Sequence, residues 1–138
     1  MITNTTDRLA ELIDQKRHVL AQLRDVAERQ TDLISHGDTG SLLKLLAAKQ
    51  QWISTLQRLE RELTPFYADD PEQRAWRSPQ DRARCAEQAA ECNALLEEIV
   101  QLEKQGAEMM TTRRNEVAQQ LQQAHAAAQV RSAYQAQR

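Results

Sequence analysis

Apolar residues recur at seven-residue intervals through the first quarter of the chain. One row holds Leu12, Val19, Val26 and Leu33, and the adjacent row holds Ile13, Leu20, Ala27 and Ile34. Two neighbouring heptad rows form an apolar face wide enough to contact two partner helices. A row at the edge of this face alternates apolar and polar residues: Leu9, Lys16, Leu23 and Gln30. With Thr6 as a favourable N-cap, the pattern predicts a first helix over about 7–36.

A tight turn separates this helix from the next one. Gly37 suits the left-handed position that follows a helix, and Asp38 suits the N-cap of the second helix. So short a link predicts an antiparallel hairpin. The second helix is predicted over about 39–63, and its rows are Leu45, Trp52, Leu59, Phe66 and Leu42, Lys49, Leu56, Leu63, widened by Leu46 and Ile53. We interpret Trp52 as a core residue, the alternative being an exposed ligand anchor.

A connector over residues 64–78 follows the hairpin. Within it, Asp70 and Pro71 resemble an N-cap and a first-turn proline, which predicts a one-turn helix up to about Trp76. Aromatic residues also concentrate here, as Phe66, Tyr67 and Trp76. We interpret them as a plug at the open end of the hairpin, the alternative being a binding patch.

The third helix is predicted to be much longer than the hairpin. Ser78 and Pro79 are a strong helix start, and the pattern then continues over about 79–131. Cys85 and Cys92 fall on its inward row and should act as small hydrophobic residues. At 1.5 Å per residue this helix measures roughly 80 Å, against roughly 45 Å for the first. Its second half must therefore project, fold back at Gly106, or meet another chain.

The composition agrees with an all-helical chain. Alanine (20), glutamine (18) and leucine (16) dominate, and aromatic residues make up only 4%. Such a composition favours helices and argues against sandwiches, barrels and α/β folds. The predicted fold class is all-α, with an antiparallel helical hairpin plus a long C-terminal helix. Residues 1–138 would form a single helical domain, an elongated three-helix bundle or coiled coil.

The charge pattern narrows the choice of partners and compartments. The formal net charge is −2, and no segment has the dense basic patch that nucleic acid requires. The polar N-terminus does not resemble a secretion signal, and no stretch is apolar enough for membrane insertion. Two cysteines seven positions apart on one helix cannot form a disulfide, which favours a reducing cytoplasm.

No catalytic or metal-binding motif is found in the sequence. It has no glycine-rich phosphate loop, no Cys-x-x-Cys and no His-Glu-x-x-His, and none of the three histidines follows a glutamate at the spacing of di-iron bundles. Two acidic residues fall near inward rows, Glu60 at a row's edge and Glu103, and we interpret each as a solvated side chain. The chain is therefore predicted not to be an enzyme and to need no metal or cofactor.

The end of the third helix carries a thin apolar stripe with no predicted mate. Fourteen of residues 115–138 are alanine or glutamine. The stripe runs through Val117, Leu121, Ala124 and Ala128, and the adaptable side chains of Met109 and Met110 precede it. A helical segment of this kind is a candidate for recognition of a partner helix. The alternative is that it dimerises, giving a homodimer through the third helix, or frays.

The hairpin segment resembles the FlgN-like flagellar export chaperones. In residues 36–66 the resemblance lies in four features: the Gly37-Asp38 turn, the leucine-rich run 42–46, the Lys49-Gln50 pair and the Leu-x-x-Leu-Glu stretch 56–60. The order of elements along the whole chain also resembles that family.

The resemblance implies a cytoplasmic chaperone of flagellar type III secretion. Such proteins bind C-terminal helical segments of hook–filament junction proteins and deliver them to the flagellar export apparatus. The resemblance points to the C-terminal helix as the client-binding element and to Tyr134 as a candidate docking residue for the export gate, the alternative being that Tyr134 has no role. The competing hypothesis is a self-assembling coiled-coil protein or an adaptor without a flagellar client.

Overall fold

A computed structural model describes residues 5–136 of the chain. Over these residues the chain forms three α-helices and one short 3₁₀ helix, which confirms the predicted all-α fold class. Helix α1 spans Thr5–His36, α2 spans Thr39–Tyr67, the 3₁₀ helix spans Pro71–Gln73, and α3 spans Pro79–Ala136.

Helix α1 is the central element, because it packs against both α2 and α3. Both of its predicted apolar rows are buried, except that Leu33 is half-buried near the end. The core lies in the half of the molecule that contains the connector. It comprises Leu9, Leu12, Ile13, Val19, Leu20 and Leu23 from α1, Leu59 and Leu63 from α2, and Cys85 and Cys92 from α3. The inward position predicted for the cysteines is therefore confirmed.

The hairpin turn has the geometry expected from Gly37 and Asp38. Gly37 adopts a φ of 69°, and its N–H donates to the Ile34 carbonyl at 3.2 Å. The Asp38 N–H donates to the Leu33 carbonyl at 3.1 Å, which completes a Schellman motif. The Asp38 carboxylate caps α2 by accepting from the Ser41 N–H at 3.1 Å, and this hydrogen bond lowers the pKa of Asp38.

Two helix termini differ from the predicted positions. Thr6 lies inside α1 instead of capping it, and its hydroxyl donates to the Ala75 carbonyl at 2.8 Å. Helix α2 continues four residues past the predicted end, through Pro65. A proline in the last turn removes one backbone donor but does not stop the helix here, because Leu63 and Phe66 on either side pack against the core.

The connector closes the open end of the hairpin with two aromatic residues. Phe66 and Trp76 pack against the core as predicted, whereas Tyr67 is exposed and does not contribute to the plug. The predicted one-turn helix is a 3₁₀ helix that ends at Gln73, and Asp70 caps it by accepting from the Glu72 N–H.

Trp52 also matches its interpretation. It is half-buried against the core, and its ring lies edge-on to that of His18.

Polar residues on the inward rows are paired between helices. Lys16 of α1 forms an ion pair with Glu60 of α2 at 2.6 Å. Burial alone would lower the pKa of Lys16, but the hydrogen bond to Glu60 and the nearby Tyr67 outweigh it and raise that pKa. Lys49 of α2 forms a second ion pair with Glu103 of α3, also at 2.6 Å. Glu60 and Glu103 are therefore not simply solvated, contrary to the prediction.

Helix α3 runs parallel to α1 and continues far beyond it. Hydrogen bonds join Asp14 to Gln88 and Arg24 to Glu98, and each pair is 74 residues apart in sequence. The same offset brings Met110 level with His36, the last residue of α1. Arg113 and Val117 still lie beside the hairpin turn, so residues 118–136 extend past the hairpin by about 29 Å, at 1.5 Å per residue. The helix is continuous through Gly106, so it does not fold back there, and its end projects from the hairpin.

A candidate partner-binding surface

Five of the six predicted contact residues lie on one face of α3. At 3.6 residues per turn, the side chains of Met110, Val117, Leu121, Ala124 and Ala128 fall within about 60° of one another. All five are exposed, and Leu121 exposes 66% of its surface. We call these five residues the α3 stripe.

Met109 does not belong to the α3 stripe. It is rotated about 100° from Met110 around the helix, and it is half-buried beside Ile34 and Ser35 of α1. Adjacent residues of a helix face different directions, so a pair of methionines cannot share one stripe. The sequence indicated both residues by type, although helical periodicity alone separates them.

The α3 stripe continues the face by which α3 packs against α1. Further toward the N-terminus this face carries Cys92, Ile99 and Gly106. Cys92 and Ile99 pack in the core, and Gly106 is buried against Ile34. The apolar surface thus changes from buried to exposed at the point where α1 ends.

An arginine fixes this point of departure. The Nη1 atom of Arg113 donates to the carbonyl oxygens of Ile34 and Ser35, each at 3.4 Å. A cation at this position also interacts favourably with the negative end of the α1 dipole. An added Cβ at Gly37 would lie 2.5 Å from Arg113 Nη2, so a side chain at residue 37 would displace the guanidinium.

Sequence reasoning missed two residues beside the α3 stripe. Arg113 and Leu42 line an apolar groove of about 380 Å³ between α2 and α3, together with Leu33, Met110 and Val117. Leu42 was identified only as a hairpin residue, and Arg113 was assigned no role. No signal in the sequence could have found them, since it is the register of α3 against the hairpin that brings residues 110–117 level with the turn.

Tyr134 lies on a different side of α3 from the stripe. It is rotated about 140° from Leu121, and it shares its face with Val130, one turn earlier. Both residues expose 69% of their surface. Val130 was not recognised from the sequence. Val130 and Tyr134 therefore lie outside the α3 stripe.

Residues 5–136 contain neither a cluster of metal ligands nor a membrane-spanning helix. Over residues 5–136, no three histidine, cysteine, aspartate or glutamate side chains come together as possible metal ligands. No helix in the same range is both long and apolar enough to cross a membrane.

Comparison with known proteins gives one match. The model of a protein family described as FlgN protein matches residues 1–137. No curated protein and no solved structure matches the chain.

Proposed function

Because this chain belongs to the FlgN family of flagellar export chaperones, we propose that it binds the C-terminal helical segments of hook–filament junction proteins in the cytoplasm. It would keep these segments from assembling early and deliver them to the flagellar export apparatus. The observation that carries the proposal is the α3 stripe, an apolar helix face whose residues are all exposed along a projecting helix.

The chemistry of the α3 stripe suits an amphipathic client helix. Leu121, Val117 and Met110 expose about half of their surfaces or more, and Ala124 and Ala128 leave room for larger client side chains. Burying one large apolar side chain completely stabilises a complex by about 1.5–3 kcal/mol. The few such residues here, less the cost of ordering the client, give a moderate affinity. Moderate affinity suits a chaperone that must release its client.

Tyr134 supports a second step, docking at the export gate. It lies with Val130 outside the α3 stripe, rotated about 80° from Ala124 and about 140° from Leu121, and both are exposed. A client bound on the stripe would therefore leave this aromatic residue accessible. This arrangement allows the chaperone to reach the export apparatus while still loaded.

The test is a calorimetric titration of the purified chain with C-terminal peptides of the hook–filament junction proteins from the same bacterium. We expect saturable binding that Leu121→Asp weakens at least about tenfold, since 1.4 kcal/mol corresponds to tenfold in affinity. Because Leu121 is exposed, the melting of the hairpin, followed by the fluorescence of Trp52 and Trp76, should hardly change.

The matched control is Leu43→Asp on α2. Leu43 exposes 63% of its surface, nearly the same as Leu121, but lies outside the α3 stripe. It should bind the peptides as the unmodified chain does. A chain that binds no such peptide, and has the mass of a stable dimer by light scattering, would instead favour the self-assembling coiled coil.

A further inference from the structure

A polar bridge connects α2 and α3 across the face of α1. The Lys49 Nζ atom lies 2.6 Å from Glu103 Oε1 and donates to Gln30 Oε1 at 3.3 Å. The Gln30 amide in turn donates to Glu103 Oε2 at 3.5 Å. Over residues 5–136 this is the one ion pair between α2 and α3. No Cα atom of α2 comes within 8 Å of a Cα atom of α3.

The groove opens one heptad beyond this bridge, toward the hairpin turn. Leu42 precedes Lys49 by seven residues on α2, and Met110 follows Glu103 by seven residues on α3. Leu42 and Met110 therefore lie on the same heptad rows as the two bridge residues, one heptad closer to the hairpin turn. In place of a second bridge, these two apolar side chains line a groove of about 380 Å³. Leu42 is half-buried and Met110 is exposed. We call this space the tip groove.

We propose that the tip groove is the anchoring half of the client site, where a large apolar side chain of the client helix inserts between Leu42 and Met110. This inference rests on the proposed function and extends it from α3 to the hairpin. The client would run along the α3 stripe and reach α2 at its end. Continuity supports this, because Met110 and Val117 belong to both the tip groove and the α3 stripe.

The distribution of apolar surface indicates that the tip groove contributes more affinity than the projecting half. Beyond Leu121 the α3 stripe consists only of Ala124 and Ala128, whereas the tip groove brings together five large or medium side chains from three helices. A residue buried on several sides loses more water-exposed area than one lying on a single convex helix. The projecting part then serves to align the client helix.

Charge favours an acidic client segment over a second copy of this chain. Arg113 and Arg114 line the tip groove, and the one acidic residue in its lining, Asp38, already caps α2. Residues 105–138 hold four basic and two acidic residues, so two copies paired along this region would repel each other. The fitting occupant is an amphipathic client helix with acidic residues beside its apolar face.

The experiment compares Leu42→Gln with Leu43→Gln in the full chain, using the same C-terminal junction-protein peptides. Both substitutions put glutamine on the second turn of α2, but only Leu42 lines the tip groove. We expect Leu42→Gln to weaken binding about tenfold and Leu43→Gln to change it less than twofold. Because Leu42 is half-buried, Met110→Gln on the opposite wall is the second variant, and it should also weaken binding several-fold.

The outcomes separate the two proposals. Suppose that the unmodified chain binds the peptides, that Leu121→Asp loses binding, and that Leu42→Gln and Met110→Gln keep it. This result would overturn the client site in the tip groove and leave the proposed function standing. No binding by the unmodified chain would overturn the proposed function as well. Sedimentation could instead show a concentration-dependent dimer that Met110→Gln dissociates. That result would overturn the client as the occupant of the tip groove and assign the groove to a second copy of this chain.

Binding of an acidic client segment should depend on the charge beside the tip groove. Arg114→Glu should weaken peptide binding several-fold at low salt, and less at about 0.3 M salt, because screening reduces the attraction. Arg84→Glu makes the same change on an exposed site of α3 remote from the tip groove, and should have little effect. Equal effects of the two variants would refute an acidic client segment at the groove.

Discussion

Replacing Gly37 by alanine should destabilise the hairpin for two reasons that can be measured separately. The backbone at this position has a φ of 69°, a conformation that costs an L-residue about 1–2 kcal/mol. The new methyl group would also lie 2.5 Å from Arg113 Nη2, so that the guanidinium must leave its place.

The second cost is the loss of the contacts that Arg113 makes with the end of α1. Its two hydrogen bonds to the Ile34 and Ser35 carbonyls are long, 3.4 Å each, and together we assign them about 1 kcal/mol. The expected total is about 2.5 kcal/mol. For a chain of this length, a change of 1 kcal/mol moves the midpoint of thermal unfolding by about 4 °C, so we expect a decrease of about 10 °C.

The assay is urea and thermal unfolding, followed by the fluorescence of Trp52 and Trp76, since circular dichroism would also report the projecting helix. Gly40→Ala is the control, because Gly40 has an ordinary helical backbone and open space around it. That variant should gain up to about 1 kcal/mol from helix propensity.

A double-mutant cycle separates the two costs. In an Arg113→Ala background, Gly37→Ala should lose only the backbone contribution, about 1–2 kcal/mol. Equal stability of Gly37→Ala and Gly40→Ala would refute the left-handed turn as a constraint. If Gly37→Ala costs as much stability in the Arg113→Ala background as in the unmodified chain, the contribution of the contact with Arg113 is refuted.

Two further predictions concern the bridge and the core. Lys49→Ala should destabilise the chain by about 1 kcal/mol, because its ion pair with Glu103 is half-buried. Adding Glu103→Ala should cost little more, because both substitutions remove the same interaction. Additive losses of stability in urea unfolding would contradict this. Burial raises the pKa of the Cys85 and Cys92 thiols above the ordinary 9.0. The contribution of these thiols to stability should therefore be constant well below pH 9 and fall as the pH rises above about 9, since the unfolded chain releases these protons first. Replacing both residues by serine should flatten the decrease above about pH 9.

The helices and most of their inward faces could be predicted from heptad spacing, although Leu46, predicted to widen the inward face of α2, is exposed. The rows of α1, the Schellman turn and the inward cysteines all follow from local rules of periodicity and capping. The end of α2 could not, because a local rule stops a helix before Pro65, whereas the packing of Leu63 and Phe66 extends it. Tertiary burial here outweighs the preference of one residue.

The pairing of polar residues on the inward rows could not be predicted from the sequence. Lys49 interrupts a leucine row of α2, and Glu103 interrupts an apolar row of α3, but nothing in either row identifies the other as its partner. The pairing depends on how far α3 is shifted along the hairpin, which the length and packing of the connector decide. The tip groove depends on the same shift, so it too could be found only from the assembled helices.

The projecting half of α3 has a physical advantage for binding that a disordered segment lacks. Isolated helices are marginal because the first turn is costly to form, but residues 118–136 continue a helix that is already formed and anchored by Arg113. Alanine and glutamine then propagate the helix without any tertiary contact. A partner helix that packs on the α3 stripe therefore has to order itself but not α3, so less of the contact energy is spent on ordering. The long helix is thus exposed and preorganised at the same time, which is the combination that a reversible helix-binding surface requires.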